Sequence, residues 1–338
     1  MKKLNEKMQE LMAYTYTDRE EFVKKLAIKK GKDELKGCIY MIVDIQNAKI
    51  GIVIVNYNGS SDTKECLDSL RNMTTPVGVI VVDNASSEDD YCQLKKMSTD
   101  CMLIRSDSNL GFAGGNNIAI RYMVDLDNIE TIMLLNNDTV VEPNIIKELN
   151  KYSKNNTIVV PKMLYYGKKD YIWYGGGNFN KITGRAIHDR MGEKNYNDCV
   201  VKECTFATGC ALLMKKAVVT KIGLLDEKYF MYCEDSEFCL RAIENDIKIV
   251  YNPKAVLYHK VSKSTGGGES PFCLYYMTRN RLQYLKDHGS LFYPTAPIFT
   301  VLTRVIRIVQ YIITDRQKSK AILKGLQDYK KGIRGQAF

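Results

Sequence analysis

Four short apolar runs, each ending in a polar knot, constrain what this chain can fold into. IGIVIVNYN from Ile50, VGVIVVDN from Val77, CMLIR from Cys101 and TIMLL from Thr131 are almost continuously apolar and rich in branched residues. Strands buried on both faces of a parallel sheet have this character. Helix-like segments fall between them, at 63–73, after the polar SSEDD, and at 117–124. Strand and helix alternating at these lengths predict a doubly wound, mostly parallel α/β sheet with right-handed crossovers. Ligands of such sheets bind at the carboxyl ends of the strands. Asn56-Tyr57-Asn58, Asp83-Asn84, Arg105 and Asn136-Asn137-Asp138 all fall at such ends, a convergence that solubility alone does not require.

Beyond Pro143 the pattern changes. FATGCALLMKK, IKIVYN and AVLYHK read as strands and EDSEFCLRAIEN as a helix, which predicts a mixed, partly antiparallel second half. From Pro271 the chain is largely helical. Over 297–314, polar Thr300, Thr303, Arg304, Arg307 and Gln310 recur among apolar residues, the mark of an amphipathic helix. Such a helix packs on the main domain or a partner subunit, or lies in a membrane interface with Arg304 and Arg307 near the headgroups. The division expected is a helical appendage at 1–48, a main domain at 49–288 and a helical tail at 289–338.

The N-terminus has no continuous apolar stretch of a secretory signal, and no run of about eighteen uncharged apolar residues predicts a spanning helix. A cytoplasmic protein is expected, with its cysteines as free thiols. The net charge of +10 favours anionic partners. Nucleic acid is not among the expected ones, because basic arms and aromatic-interleaved basic surfaces are missing.

Asp83, at the end of VIVV, suits the imide N–H of a uracil or thymine ring, with helix capping as its other reading. NLGFAGGNN, 109–117, is a glycine-rich turn into a helix start, a place for an anion. It lacks the dinucleotide fingerprint, which disfavours a nicotinamide enzyme. Asn136-Asn137-Asp138 brings a hard oxygen to Mg²⁺ or Mn²⁺, or caps the helix near Pro143. Glu234-Asp235 opens a helix, where acids serve as caps or where Asp235 stays ionised as a proton acceptor. His259 ends a strand beside Tyr258 and Lys260.

Taken together and in order, IVIVNYNG, VVDNASSED, NLGFAGGNN, LLNNDT, TGCALLMKK and YFMYCEDSEFCLR closely resemble the family-2 glycosyltransferases, nearest to the rhamnosyltransferase-like branch, over 50–285. The resemblance implies a GT-A fold and inverting, metal-dependent transfer from a nucleotide sugar. It implies Asn56, Asp83, Asn84, Arg105, Gly114, Gly115 and Asn116 about the nucleotide, Asn136-Asn137-Asp138 as the DxD element, and Asp138 and His259 on Mn²⁺ or Mg²⁺. Asp235 matches the catalytic base, with Glu234 beside it. Asn136 replaces the first acid of that element, a departure that removes one charge. The donor expected is dTDP-rhamnose and the acceptor a glycan or lipid-linked glycan at the inner membrane face. Transfer of another sugar (galactofuranose, galactose, N-acetylglucosamine) from a UDP donor, and a non-catalytic nucleotide-sugar binder, are the other readings, and a homo-oligomer is compatible with all three.

Overall fold

The structure, a computed structural model, describes residues 41–196, 198–261 and 269–337. Residues 1–40 of the expected N-terminal appendage lie outside the described residues. The stretch that follows belongs to the sheet: β1 (Ile42–Val43) pairs in parallel with Val77 and Gly78.

β2 (Ile50–Asn56) is the spine of the nucleotide-side half. α1 (Ser60–Arg71) follows, burying Thr63, Cys66, Leu67 and Leu70 at helical spacing. β3 (Val77–Asp83) is buried along its whole length. The Ser87 hydroxyl caps α2 (Glu88–Met97), β4 (Met102–Arg105) comes next, and α3 (Gly111–Val124) leads to β5 (Thr131–Leu135). β2, β3, β4 and β5 pair in parallel, so the expected alternation is what this half forms.

The second half inserts antiparallel strands. After β6 (Thr139–Val141) and α4 (Ile145–Asn150) come β7 (Thr157–Tyr165) and β8 (Lys168–Tyr174). β9 (Gly177–Asn180) and β10 (Arg185–His188) form a separate two-stranded ribbon. β11 (Lys202–Cys204), β12 (Ala211–Lys215), α5 (Lys216–Ile222), α6 (Glu234–Glu244) and β13 (Lys248–His259) complete the domain. β12 runs antiparallel between β5 and β7 and welds both halves into one eleven-stranded sheet. The two strands expected at IKIVYN and AVLYHK are one, β13, with an irregularity between Asn252 and Val256. Of FATGCALLMKK only Ala211–Lys215 is strand, and its last residue, Lys216, already begins α5.

α7 (Pro271–Asp287), α8 (Thr295–Thr314) and α9 (Arg316–Lys330) make the helical tail. α8 is amphipathic the wrong way round. Its inward stripe is Ala296, Thr300, Arg304 and Ile308, while Ile298, Leu302, Val305, Ile306, Val309 and Ile313 face out, Ile313 at 87% exposure. Arg304, expected near headgroups, is instead buried at 5% exposure. α8 is also long and apolar enough to cross a membrane by length and composition, though its inward stripe is packed on the protein.

One glycine fixes how the halves meet. Gly111 has φ +70°, and a Cβ there would fall 1.9 Å from the Phe230 carbonyl oxygen; that carbonyl accepts the Phe112 N–H at 2.9 Å. Gly111→Ala combines left-handed backbone with a backbone clash, so it should cost about 2–4 kcal/mol. Urea unfolding checks this, as a lower midpoint at unchanged slope.

Candidate active site

Strand register assembles the first group of side chains. Asn56 lies opposite Asp83, and Asp83 opposite Arg105, so three strand ends form one row. Asn56 and Asp83 are fully buried. The Asn56 amide nitrogen is within hydrogen-bond distance of Asp83 Oδ1 (3.3 Å), Ser86 Oγ (3.1 Å) and Asp90 Oδ2 (2.8 Å). Its carbonyl oxygen accepts the Thr63 hydroxyl at 2.8 Å. Burial pushes the Asp90 carboxyl up, but the donors Asn56, Ser60 and Ser86 outweigh it and hold the carboxyl below its ordinary range.

Asp83 Oδ2 is buried without a hydrogen-bond partner among the described residues, with Arg105 Nε at 3.4 Å. A buried carboxylate oxygen left this way is costly unless a ligand donates to it. Arg105 itself is engaged: it pairs with Glu88 at 2.7 Å, donates to the Ser86 carbonyl, and lies 4.0 Å over the Tyr91 ring. It thus forms one wall beside Asp83 with a fixed plane.

The remaining residues expected at the nucleotide shape that wall from behind. The Asn84 amide donates to Asn109 Oδ1 and the Gly111 carbonyl and accepts the Leu110 N–H, all within 2.9–3.0 Å. A Cβ on Gly114 would meet Leu110 at 2.6 Å, and one on Gly115 would meet Val55 at 2.9 Å. Asn116 donates back to the Phe112 carbonyl at 2.9 Å. These four side chains and glycines set the position of α3 against β2.

The second group gathers at Asn136-Asn137-Asp138. The Asn136 N–H donates to the Cys210 carbonyl at 2.8 Å, which ties this loop to the start of β12. The Asn137 amide donates to Thr63 Oγ1 (3.1 Å) and the Gly59 carbonyl (3.4 Å), so one network runs from Asp83 through Asn56 and Thr63 to Asn137. β13 pairs His259 with Thr139, which brings the imidazole beside Asp138. His259 Nε2 is 3.2 Å from Asp138 Oδ1, and the Trp173 ring packs edge-on at 4.2 Å from the imidazole. Neither ring nitrogen of the buried His259 has a hydrogen-bond partner among the described residues. Orphaned imidazole nitrogens facing a carboxylate fit two neighbouring ligands of one divalent ion. Among the described residues no cluster of three or more metal-ligating side chains occurs, so such an ion would take its other ligands from a diphosphate and water.

The third group opens α6. Tyr232 and Cys233 both have left-handed backbone, φ +64° and +72°, rare for non-glycine residues and typical of functional sites. The Asn280 amide of α7 clamps that turn through the Met231 and Tyr232 carbonyls at 3.0 and 2.8 Å. Asp235 Oδ2 accepts the Gly209 N–H at 3.1 Å, and Oδ1 accepts the Ser236 N–H at 2.7 Å. Gly209 adjoins Cys210, so the acid faces the same strand ends as Asn136. Burial pushes the Glu234 carboxyl well up, with Asp235 adding to the shift. Burial raises Asp235 too, but Gly209 and Ser236 oppose it by hydrogen bonding to the charged form. Of the two acids, Asp235 is therefore the one whose charged form the fold supports, as a proton acceptor needs.

Thr63, Ser86, Asp90, Trp173, Gly209 and Asn280 were not singled out in the sequence. Thr63 and Asp90 fall in the first turns of helices that follow strand ends, which is the one signal that could have found them. A cavity of about 620 Å³ lined by Asp127, Lys215, Lys216 and Lys221 lies at the other end of β5 and β12, away from all three groups.

The sequence model of Glycosyl transferase family 2 matches residues 51–223. The chain is 30% identical over 242 residues to the Low-salt glycan biosynthesis hexosyltransferase Agl10 of Haloferax volcanii, covering 69% of this chain and 74% of that one. It is 26% identical over 306 residues to the dTDP-rhamnosyl transferase RfbF of Shigella flexneri, covering 86% and 97%. Among solved structures it resembles the mannosyltransferase PcManGT from Pyrobaculum calidifontis, solved in complex with GDP-Man and Mn²⁺, at TM-score 0.52 and 12% identity over 94% of this chain and 96% of that one. The fold is that of GT-A glycosyltransferases.

Proposed function

The chain belongs to glycosyl transferase family 2, and on that premise we propose that it transfers L-rhamnose from dTDP-rhamnose to a glycan or polyprenyl-diphosphate-linked acceptor in surface polysaccharide synthesis. It is a hexosyltransferase by family and relatives. The observation that carries the mechanism is the adjacent acid pair, in which Glu234 is buried and Asp235 accepts the Gly209 and Ser236 N–H groups beside the strand ends.

Asp235 takes the proton of an acceptor hydroxyl while that oxygen bonds to the anomeric carbon. The bond from that carbon to the nucleoside diphosphate breaks in the same step, so the configuration inverts. Asp83 accepts the imide N–H of a thymine or uracil ring, and Arg105 bounds the base. Asp138 and His259 are the residues that would hold Mn²⁺ or Mg²⁺, which when bound supplies positive charge to the leaving diphosphate. The exposed apolar face of α8 supports peripheral docking at the cytoplasmic membrane face, where a lipid-linked acceptor resides.

Thermal unfolding with a panel of nucleoside diphosphates and nucleotide sugars, with and without Mn²⁺, tests the donor assignment. A ligand at a hundred times its Kd stabilises the fold by about 2.7 kcal/mol. Expected is a rise in Tm with dTDP-rhamnose that needs Mn²⁺ and exceeds that with UDP- or GDP-sugars. Equal responses to all of them, or none to any, would remove the thymine-nucleotide assignment.

A further inference from the structure

Four arginines lie near one another on β10, α7 and α8, and no step described above uses them. Arg185 opens β10, Arg281 is on α7, and Arg304 and Arg307 are on α8. Arg281 and Arg304 are buried, at 9% and 5% exposure. Their Nε atoms, and the Oγ1 of buried Thr300 one turn before Arg304 on α8, have no hydrogen-bond partner among the described residues. Arg307 is half-exposed and has a carboxylate near it, Glu269 at 3.7 Å; that acid is itself 60% exposed. Arg185 lies with its guanidinium 5.1 Å from the Phe299 ring on α8. Among the described residues no carboxylate pairs with Arg185, Arg281 or Arg304 within 4.0 Å.

The four feel one another. Burial, then Arg281, Arg307 and Arg185, bring the Arg304 guanidinium down to about 10, and burial with Arg281 and Arg307 lowers Arg185. Cys233 is a shared neighbour: besides burial, which pushes its thiol up, Arg281 and Arg304 push it down and Asp235 and Glu234 push it up. Buried cations without counter-charge are expensive, and at neutral pH an arginine cannot shed its proton to relieve the cost. Only an anion can. Planar guanidinium forks match phosphate oxygens in pairs.

We propose that Arg185, Arg281, Arg304 and Arg307, with the Thr300 hydroxyl, bind the phosphate or diphosphate group of the acceptor. The donor's diphosphate belongs at the strand ends, with Asp138 and His259. The arginines instead line the inner side of α8, whose outer side is apolar, so an acceptor whose lipid lies in a bilayer would present its diphosphate through the half-exposed Arg185 and Arg307. This rests on the reading of the protein as a transferase to a lipid-linked acceptor.

The test uses the full chain and the variant R185Q/R307Q, which alters the two more accessible positions. Without divalent metal, millimolar inorganic pyrophosphate should raise the Tm of the wild type and have little effect on the variant. The Mn²⁺-dependent response to nucleotide sugar should be the same in both. For a prenyl-diphosphate-linked sugar acceptor, KM should rise about 10- to 100-fold, the loss of one or two charged hydrogen bonds. An alkyl glycoside of the same sugar, with no phosphate, should keep its KM. A variant that responds to pyrophosphate like the wild type would overturn the site. An unchanged KM, with lost flotation on phosphatidylglycerol but not phosphatidylcholine vesicles, would overturn the acceptor assignment in favour of a lipid headgroup. The pyrophosphate arm requires no sugar transfer, so it judges the site even where the proposed donor or acceptor sugar is wrong.

Discussion

Asp235→Asn should lower kcat by roughly 10²–10⁴-fold, the contribution typical of a positioned general base, while leaving the Kd for the nucleotide donor within twofold. The reason lies in where the pair keeps its charge. Two acids adjoin in a buried turn, and only Asp235 has N–H donors from Gly209 and Ser236 aimed at its oxygens. Glu234 Oε2 is buried without a partner among the described residues. Glu234→Gln copies the protonated acid and should keep turnover within about tenfold. The contrast between two adjacent conservative amides separates a base from a general electrostatic effect. Because burial raises Asp235, the acid limb of the kcat profile should fall at a pH above the ordinary carboxylate range. For stability the sign is the reverse of the usual salt-bridged acid. Folded pKa values raised above the unfolded ones contribute stability that is full below the unfolded values and lost as pH rises through the folded ones. The pair therefore strains the fold at neutral pH, where Asp235 must be charged to act. Asp235→Asn loses one backbone hydrogen bond but also a buried charge, so its Tm should stay within a few degrees of wild type. Turnover near the wild-type value in a folded Asp235→Asn protein would remove Asp235 from the mechanism.

Much of this site was legible because buried parallel strands leave a simple signature. Where an apolar run stops at Asn56, Asp83, Arg105 or Asn136, the chain has reached the sheet's edge, and register does the rest. His259 could be placed only after the pairing of β13 with β6 was known, since nothing local relates it to Asp138. Asn84, Gly114, Gly115 and Asn116 illustrate the converse. A glycine that admits a ligand and one that admits Leu110 or Val55 are identical in sequence, and only the packing distinguishes them. α8 misleads for a related reason. Periodicity shows that a helix has two faces, but not which one the protein covers. Here the inward face carries the polar Thr300 and Arg304, and the outward face the apolar side chains. The strained turn at Tyr232 and Cys233 carries no glycine to announce it, and it takes Asn280, 47 or more residues away, to hold it.

Asp138→Ala should abolish the Mn²⁺-dependent part of donor stabilisation and reduce kcat/KM by about 10³-fold, equivalent to about 4 kcal/mol of transition-state stabilisation. The size follows from how few ligands this chain can offer. In the Asn136-Asn137-Asp138 loop only the last residue carries a charge, so Asp138 has no neighbouring carboxylate to take its place. His259 remains, but a neutral imidazole alone binds Mn²⁺ weakly and Mg²⁺ hardly at all. His259→Ala should therefore be milder, because the carboxylate and the donor's own phosphates persist. The order of the two effects is diagnostic. If Asp138 served only to cap the turn, its loss would lower Tm without ligand and leave the increment produced by Mn²⁺ and nucleotide sugar untouched. If it holds the ion, Tm without ligand should hardly change, while the increment disappears. Restoring an acid two positions earlier, Asn136→Asp in the Asp138→Ala background, should recover part of the increment only if charge near His259 is what the ion requires. No recovery there, with the increment already intact in Asp138→Ala, would transfer the ion's ligands to other residues and leave Asp138 a structural role.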